Sequence, residues 1–220
     1  MRDTQVPPPP RPLILAAMHP EARAIRRGLG ADAEIRVIGI GATSLPPVAE
    51  VPAASAIILA GFAGALDPSL NVGDVVLDSR IPLPGLPFRR GRVHTATALI
   101  STPAEKAELF AATGAVAVDM ETDPVRLLAE QAGVAFIGLR AISDTAEESL
   151  NPAVLRFIDG NGRVRPHRLA AVLLTQPSIV RDLLRLGRCS RIASASLGSA
   201  IRQVFAALHS PLASATCPPI

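Results

Sequence analysis

Val118-Asp119-Met120-Glu121 and Arg140-Ala141-Ile142-Ser143-Asp144 are the two short segments whose reading decides the fold. Each ends an apolar run, Gly114-Ala115-Val116-Ala117-Val118 before the first and Val134-Ala135-Phe136-Ile137-Gly138-Leu139 before the second, of the kind that reads as a buried strand. Residues 124–132 between them read as a helix: Thr122 or Asp123 can cap it, Pro124 suits its first turn, and Gly133 stops it. A strand–helix–strand unit predicts two parallel strands joined right-handedly. Both strands would then deliver a carboxylate, Glu121 and Asp144, to the edge of the sheet where open α/β folds bind ligands. Two acids and Arg140 meeting there suit an acid-assisted bond cleavage.

Outward from this unit, residues 13–17, 35–40, 56–60 and 72–78 read as strands, and residues 21–28 as a helix ended by Gly28 or Gly30. Residues 81–92, with three Pro, two Gly and Arg89, Arg90 and Arg92, read as a loop that is apolar and proline-rich over 81–88. Residues 102–112 read as a helix with Thr102 as cap and Pro103 in its first position. After Asp144 the pattern turns helical. One segment opens at Arg163-Val164-Arg165-Pro166 and another at Pro177, the latter with Ile179, Leu183, Leu184 and Leu186 on one side and Arg181, Arg185 and Arg188 on the other. The organisation expected is a flexible Pro-rich tail over residues 1–12, a single domain over 13–209, and a second flexible tail over 210–220.

At 220 residues with 49% apolar composition the chain holds one globular α/β domain. Its net charge of +3 hides an asymmetry, since residues 151–220 carry nine Arg against Asp159 and Asp182. With no Trp or Tyr and six Phe, the chain lacks the aromatic platforms of a nucleic-acid binder, and none is expected as a partner. Twenty-one Arg stand against a single Lys, Lys106, which fits the bias of a GC-rich genome. Cys189 and Cys217 match no disulfide or metal spacing, which suits a reducing cytosol. There is no His-Glu-x-x-His, no Cys cluster and no Gly-x-Ser-x-Gly elbow, so neither a metal site nor a serine hydrolase is expected, and no cofactor is implied. The amino terminus does not read as a signal peptide, and residues 51–66 are too short and too broken to span a bilayer.

Two further segments complete a pattern. Gly61-Phe62-Ala63-Gly64-Ala65-Leu66-Asp67 runs on into Val72-Gly73-Asp74, and Leu13-Ile14-Leu15-Ala16-Ala17-Met18-His19-Pro20-Glu21 precedes both. Together with the first two segments, over residues 13–150, they resemble the purine nucleoside phosphorylase and methylthioadenosine/S-adenosylhomocysteine nucleosidase superfamily. That resemblance implies a three-layer α/β/α sandwich with a central mixed sheet, a helical C-terminal section, and a homodimer or larger homo-oligomer. It also implies cleavage of the bond between ribose and a purine. Alternatives are a phosphorylase using phosphate and a catalytically silent nucleoside-binding relative.

On the family's pattern Asp144 with Ser143 acts on the purine ring, Glu121 with Met120 holds the ribose, and Glu21 with Arg140 holds the attacking water. Protonating the base asks for an acid whose pKa is raised by burial and a neighbouring carboxylate, which Asp144 is expected to be. Phosphorylases carry a phosphate loop where this chain has Glu21, and a Glu there favours water. Phe62, Gly64 and the amide-rich turn Gly39-Ile40-Gly41-Ala42-Thr43-Ser44 join the candidate substrate contacts, although Gly41 also reads as part of a simple tight turn. Plainer roles stand beside these: Asp144 as a helix cap, Glu121 offsetting a helix dipole, Glu21 as a first-turn glutamate.

Residues 112–121, the Thr102-Pro103-Ala104-Glu105-Lys106 helix start and the tail at Leu183-Leu184-Arg185-Leu186-Gly187-Arg188 are similar to the hopanoid-associated nucleosidases, which remove adenine from adenosylhopane. That branch implies a bulky lipidic 5′ group and a cytoplasmic protein, peripheral to the inner membrane if the basic helix over 178–188 meets the lipid surface presenting the substrate. The same helix packed on its own domain with its Arg outward is the competing reading.

Overall fold

A computed structural model describes residues 11–51, 54–153, 159–161, 163, 165 and 179–208. Its strands are β1 (Leu13–Ala16), β2 (Ile35–Val37), β3 (Ala56–Ala65), β4 (Val75–Ser79), β5 (Arg89–Arg90), β6 (Val93–Thr95), β7 (Ala117–Asp119) and β8 (Ala135–Asp144). Its described helices are α1 (His19–Leu29), α2 (Pro103–Thr113), α3 (Thr122–Gln131) and α4 (Ile179–Leu208). The sheet runs β2-β1-β3-β8-β4-β5, parallel from β2 to β8 and antiparallel between β8 and β4, so it is mixed.

Alternation along the central strands builds three layers. Ile14, Ala16, Ile58, Ala60, Ile137, Leu139 and Ala141 point to one face and pack against Ile25 of α1 and Leu197 and Ile201 of α4. Leu15, Ile57 and Leu59 point to the other and meet Val125, Leu128 and Ala129 of α3. Strands covered on both faces read as unbroken apolar runs, which is why they are so visible in the sequence. The fold is the α/β/α sandwich with a mixed central sheet that the sequence implies.

The strand–helix–strand unit departs from expectation. β7 is antiparallel to β3, whereas β8 is parallel to β3, so the two strands flanking α3 run in opposite directions. The cause is the length of β3, which extends to Ala65 rather than stopping at residue 60. β1 pairs only with residues 57–59 of β3, and β7 takes the edge beyond it by pairing with Gly64 and Ala65. The chain leaving β7 therefore turns back toward the middle of the sheet. β8 includes the whole Arg140-Ala141-Ile142-Ser143-Asp144 segment, with a bulge opposite Ala63 and Gly64 that re-aims its end.

Other boundaries shift as well. β2 ends at Val37, β4 begins at Val75, and the loop expected over 81–92 contains β5 and leads into β6, which the sequence did not signal. Its Ile81, Leu86 and Phe88 pack onto the core. α2 has the expected cap: Thr102 Oγ1 accepts from the Glu105 amide at 3.2 Å, and Glu105 Oε2 accepts from the Thr102 amide at 2.9 Å. α3 is capped neither by Thr122 nor by Asp123. The Asp119 carboxylate does this instead, accepting from the Thr122 amide at 3.1 Å and from Thr122 Oγ1 at 2.6 Å. α4 is one continuous helix, crossing α1 where a Cβ on Gly28 would stand 2.1 Å from the Gly198 carbonyl oxygen. Most of the expected amino-terminal tail, most of the helical segment expected to open at Arg163, the Pro177 start of the next one and the tail over 210–220 lie outside the described residues.

Candidate active site

One cavity of about 470 Å³ opens at the ends of β1, β3, β7 and β8 and is closed on its far side by α4. Glu21, Phe62, Gly64, Met120, Glu121, Ser143 and Asp144 all line it, as does Asp119. Two of the expected site residues do not. Arg140 is 0% exposed and lies behind the cavity wall, and Gly41 contributes only its amide, which donates to Glu121 Oε1 at 2.9 Å.

Arg140 organises the carboxylates from behind. Its Nη2 donates to Asp119 Oδ2 and lies 3.9 Å from Glu121 Oε2. Its Nη1 reaches the backbone at Gly61, where a Cβ would stand 2.5 Å from Nη1 and 2.6 Å from Glu21 Oε1. Only glycine admits Arg140 and Glu21 over that point of β3. Arg140 Nε and Nη1 are buried without a hydrogen-bond partner among the described residues, so its field rather than a full set of bonds holds the cluster.

Glu21 sits in the first turn of α1. Its Oε2 accepts from the Met18 amide at 2.7 Å and its Oε1 from the Phe62 amide at 2.8 Å. Complete burial pushes its pKa from 4.5 up to about 7. Glu121 adds to the rise, while Arg140 and the two amides oppose it. Burial likewise raises Glu121, against Arg140, with Asp119 adding to the rise. A carboxyl near neutrality in a cavity is matched to taking a proton from water.

Asp144 has a different environment. Its hydrogen-bond partners among the described residues are donors: Ser143 Oγ at 2.7 Å from Oδ1 and Lys106 Nζ at 2.6 Å from Oδ2. A Cβ on Gly64 would come within 2.9 Å of Oδ2, so glycine on β3 also makes room for this acid.

Sequence reasoning missed Asp119, although it lies inside the quoted Val118-Asp119-Met120-Glu121 segment, and it missed Lys106. The signal for Lys106 was its being the only Lys beside twenty-one Arg. The wall beyond the carboxylates is apolar, with Leu99, Ile100, Leu150, Leu183 and Leu186. Leu184 does not share the Leu183 and Leu186 side of α4 and is 70% exposed. Among the described residues there is no group of three or more His, Cys, Asp or Glu able to hold a metal, and no helix is long and apolar enough to cross a membrane.

A family model described as the Phosphorylase superfamily matches residues 79–175. No curated protein matches the chain in sequence. Among solved structures, the chain is similar to futalosine hydrolase of Helicobacter pylori, at 16% identity and a TM-score of 0.59, covering 90% of this chain and 98% of that one. It is similar to 5′-methylthioadenosine/S-adenosylhomocysteine nucleosidase from Helicobacter pylori, bound to butyl-thio-DADMe-Immucillin-A, at 16% identity and a TM-score of 0.60, covering 89% and 97%. A 5′-methylthioadenosine nucleosidase of Arabidopsis thaliana in apo form gives 18% identity and a TM-score of 0.60, covering 94% and 99%. What these likenesses show is a shared fold, that of the nucleoside phosphorylases and nucleosidases.

Proposed function

We propose that the protein is a nucleosidase, hydrolysing the N-glycosidic bond of a purine nucleoside. One observation carries this: the described cavity wall holds four carboxylates, Glu21, Asp119, Glu121 and Asp144, and no cationic side chain. A sugar that becomes cation-like as the bond breaks is stabilised there, whereas a phosphate dianion meets only like charge. Arg140, the cation expected at the site, is sealed behind the wall. Water is the nucleophile that the site favours over phosphate.

Roles follow from position. Glu21, near neutrality and with lone pairs left toward the cavity, takes the proton of the attacking water. Glu121 accepts hydrogen bonds from the ribose hydroxyls beside Met120, fixed from its far side by the Gly41 amide. Asp144 and Ser143 face the departing base. The reading is supported by the structural neighbours, which include a futalosine hydrolase and a 5′-methylthioadenosine/S-adenosylhomocysteine nucleosidase.

The finer form of the proposal is a bulky apolar 5′ substituent, of the adenosylhopane kind, against Leu99, Ile100, Leu150, Leu183 and Leu186. Supporting a substrate drawn from a lipid surface, α4 exposes Leu184 beside Arg181, Arg185 and Arg188. The test is release of free base (adenine from adenosine and a series of 5′-alkyl adenosines, hypoxanthine from inosine), with sedimentation on anionic vesicles. Rising kcat/KM with alkyl length and vesicle binding are expected. Equal turnover of plain adenosine without vesicle binding leaves a generic nucleosidase.

A further inference from the structure

The buried ammonium of Lys106 has no part in the roles above. The side chain is 0% exposed, and it rises from the first turns of α2 to the back of the acid that faces the base. Its three N–H donors meet three oxygens: Asp144 Oδ2 at 2.6 Å, the Thr145 carbonyl at 2.6 Å and the Glu148 carbonyl at 3.1 Å. A compact ammonium fits three converging oxygens, and a planar guanidinium fork does not. That explains why an arginine-rich chain keeps its single lysine at this point. Burying a cation so completely is costly for a fold unless it is paired and bonded on every side, and here it is.

Resting on the nucleosidase reading, we propose that Lys106 is a positioning residue that works through Asp144, fixing its carboxyl toward the purine and sharing the proton that the leaving base takes. Both Asp144 oxygens already accept a donor, from Lys106 and from Ser143, which is the arrangement of an ionised carboxylate. A proton for the base is then held by the carboxyl–ammonium pair rather than by Asp144 alone. As the C1′–N9 bond breaks, its electron pair moves onto the purine and a ring nitrogen takes one proton from the pair. Water adds its oxygen to C1′ and gives its proton to Glu21, and solvent returns the pair's proton. The pair is left as the Asp144 carboxylate hydrogen-bonded to a neutral Lys106 amine until solvent returns the proton, and Glu21 releases the proton it took from water to solvent. Other groups face the same point. Glu148 accepts from the Thr145 amide at 3.1 Å and is paired with Arg185 of α4 at 3.5 Å, and Cys189 of α4 feels both Asp144 and Glu148.

The test is the cycle of Lys106→Met, Asp144→Asn and the double variant in the full-length protein, read as kcat and KM for release of base from whichever purine nucleoside the wild type cleaves fastest. Lys106→Met is expected to lower kcat by about 100-fold, the scale of a proton-transfer contribution, with KM within about threefold. The double variant is expected to turn over no more slowly than Asp144→Asn alone, because Lys106 acts only through that carboxyl. Wild-type kcat in Lys106→Met, or a further loss of the same size in the double variant, overturns the proposal. If Lys106→Met does not fold, Lys106→Arg, which keeps the charge but not the fit to three converging oxygens, gives the deciding reading: a lowered kcat with KM little changed supports the proposal, and wild-type kcat overturns it. A wild-type protein that frees base from no nucleoside overturns the nucleosidase reading together with this one, while an active wild type with an unaffected Lys106→Met overturns this one alone.

Discussion

Replacing Glu21 with Gln removes a proton whose affinity the fold itself has changed, and it links stability to activity. In the unfolded chain this carboxyl ionises near 4.5, and in the folded protein near 7. Between those values the native state binds more protons than the unfolded one, so stability is fully present below 4.5 and is lost as pH rises through about 7. At about 1.4 kcal/mol per pH unit the loss amounts to about 3 kcal/mol, and Glu121, shifted in the same direction, adds to it. The assay is the free energy of unfolding by urea at intervals from pH 5 to 8.5. The wild type should lose about 3 kcal/mol across that range, and Glu21→Gln should show a much flatter profile. Its absolute stability is expected to be lower, because the amide sets an NH2 group against either the Met18 or the Phe62 amide. Activity should run the opposite way in the wild type, with kcat/KM rising with pH to a plateau above about 7 as the base ionises. A wild-type stability that is flat or rising over this range, or an equal slope in Glu21→Gln, refutes the reasoning.

On the proposed role of Asp144, Asp144→Asn should lower kcat by about 100-fold or more in a base-release assay, the scale of a lost general acid. Gly61→Ala should abolish turnover and lower the melting temperature, because its Cβ would stand 2.5 Å from Arg140 Nη1 and 2.6 Å from Glu21 Oε1, and neither charge has anywhere else to go. Gly187→Ala should do the reverse in a melting experiment. Nothing lies within 4 Å of the added carbon in the middle of α4, so the helix gains about 1 kcal/mol, or roughly 2–4 °C.

Much of the fold was legible because its central strands are buried on both faces. Residues such as Ile57, Ile58 and Leu59 make a continuous apolar run that no surface strand would show. The cap of α2 was legible because Thr102, Pro103 and Glu105 are a local code. What the sequence could not convey is set by pairing at a distance. The reversed direction of β7 depends on how far β3 outruns β1, and two-residue and three-residue strands such as β5 and β6 carry no periodicity. At the site, the carboxylates were visible as strand-end acids. The sealing of Arg140 behind them was not, because it requires a glycine on the neighbouring strand at the matching register. Lys106 lies 38 positions before its partner Asp144, and only the docking of α2 brings them together.

The central claim is hydrolysis of a nucleoside in a cavity that rejects phosphate. Its most direct test is the product made by the purified protein from a purine nucleoside in phosphate-free buffer and again with added phosphate. Free base and free sugar, in equal amounts and at the same rate in both, is the predicted result. Ribose-1-phosphate that forms only when phosphate is present would contradict it.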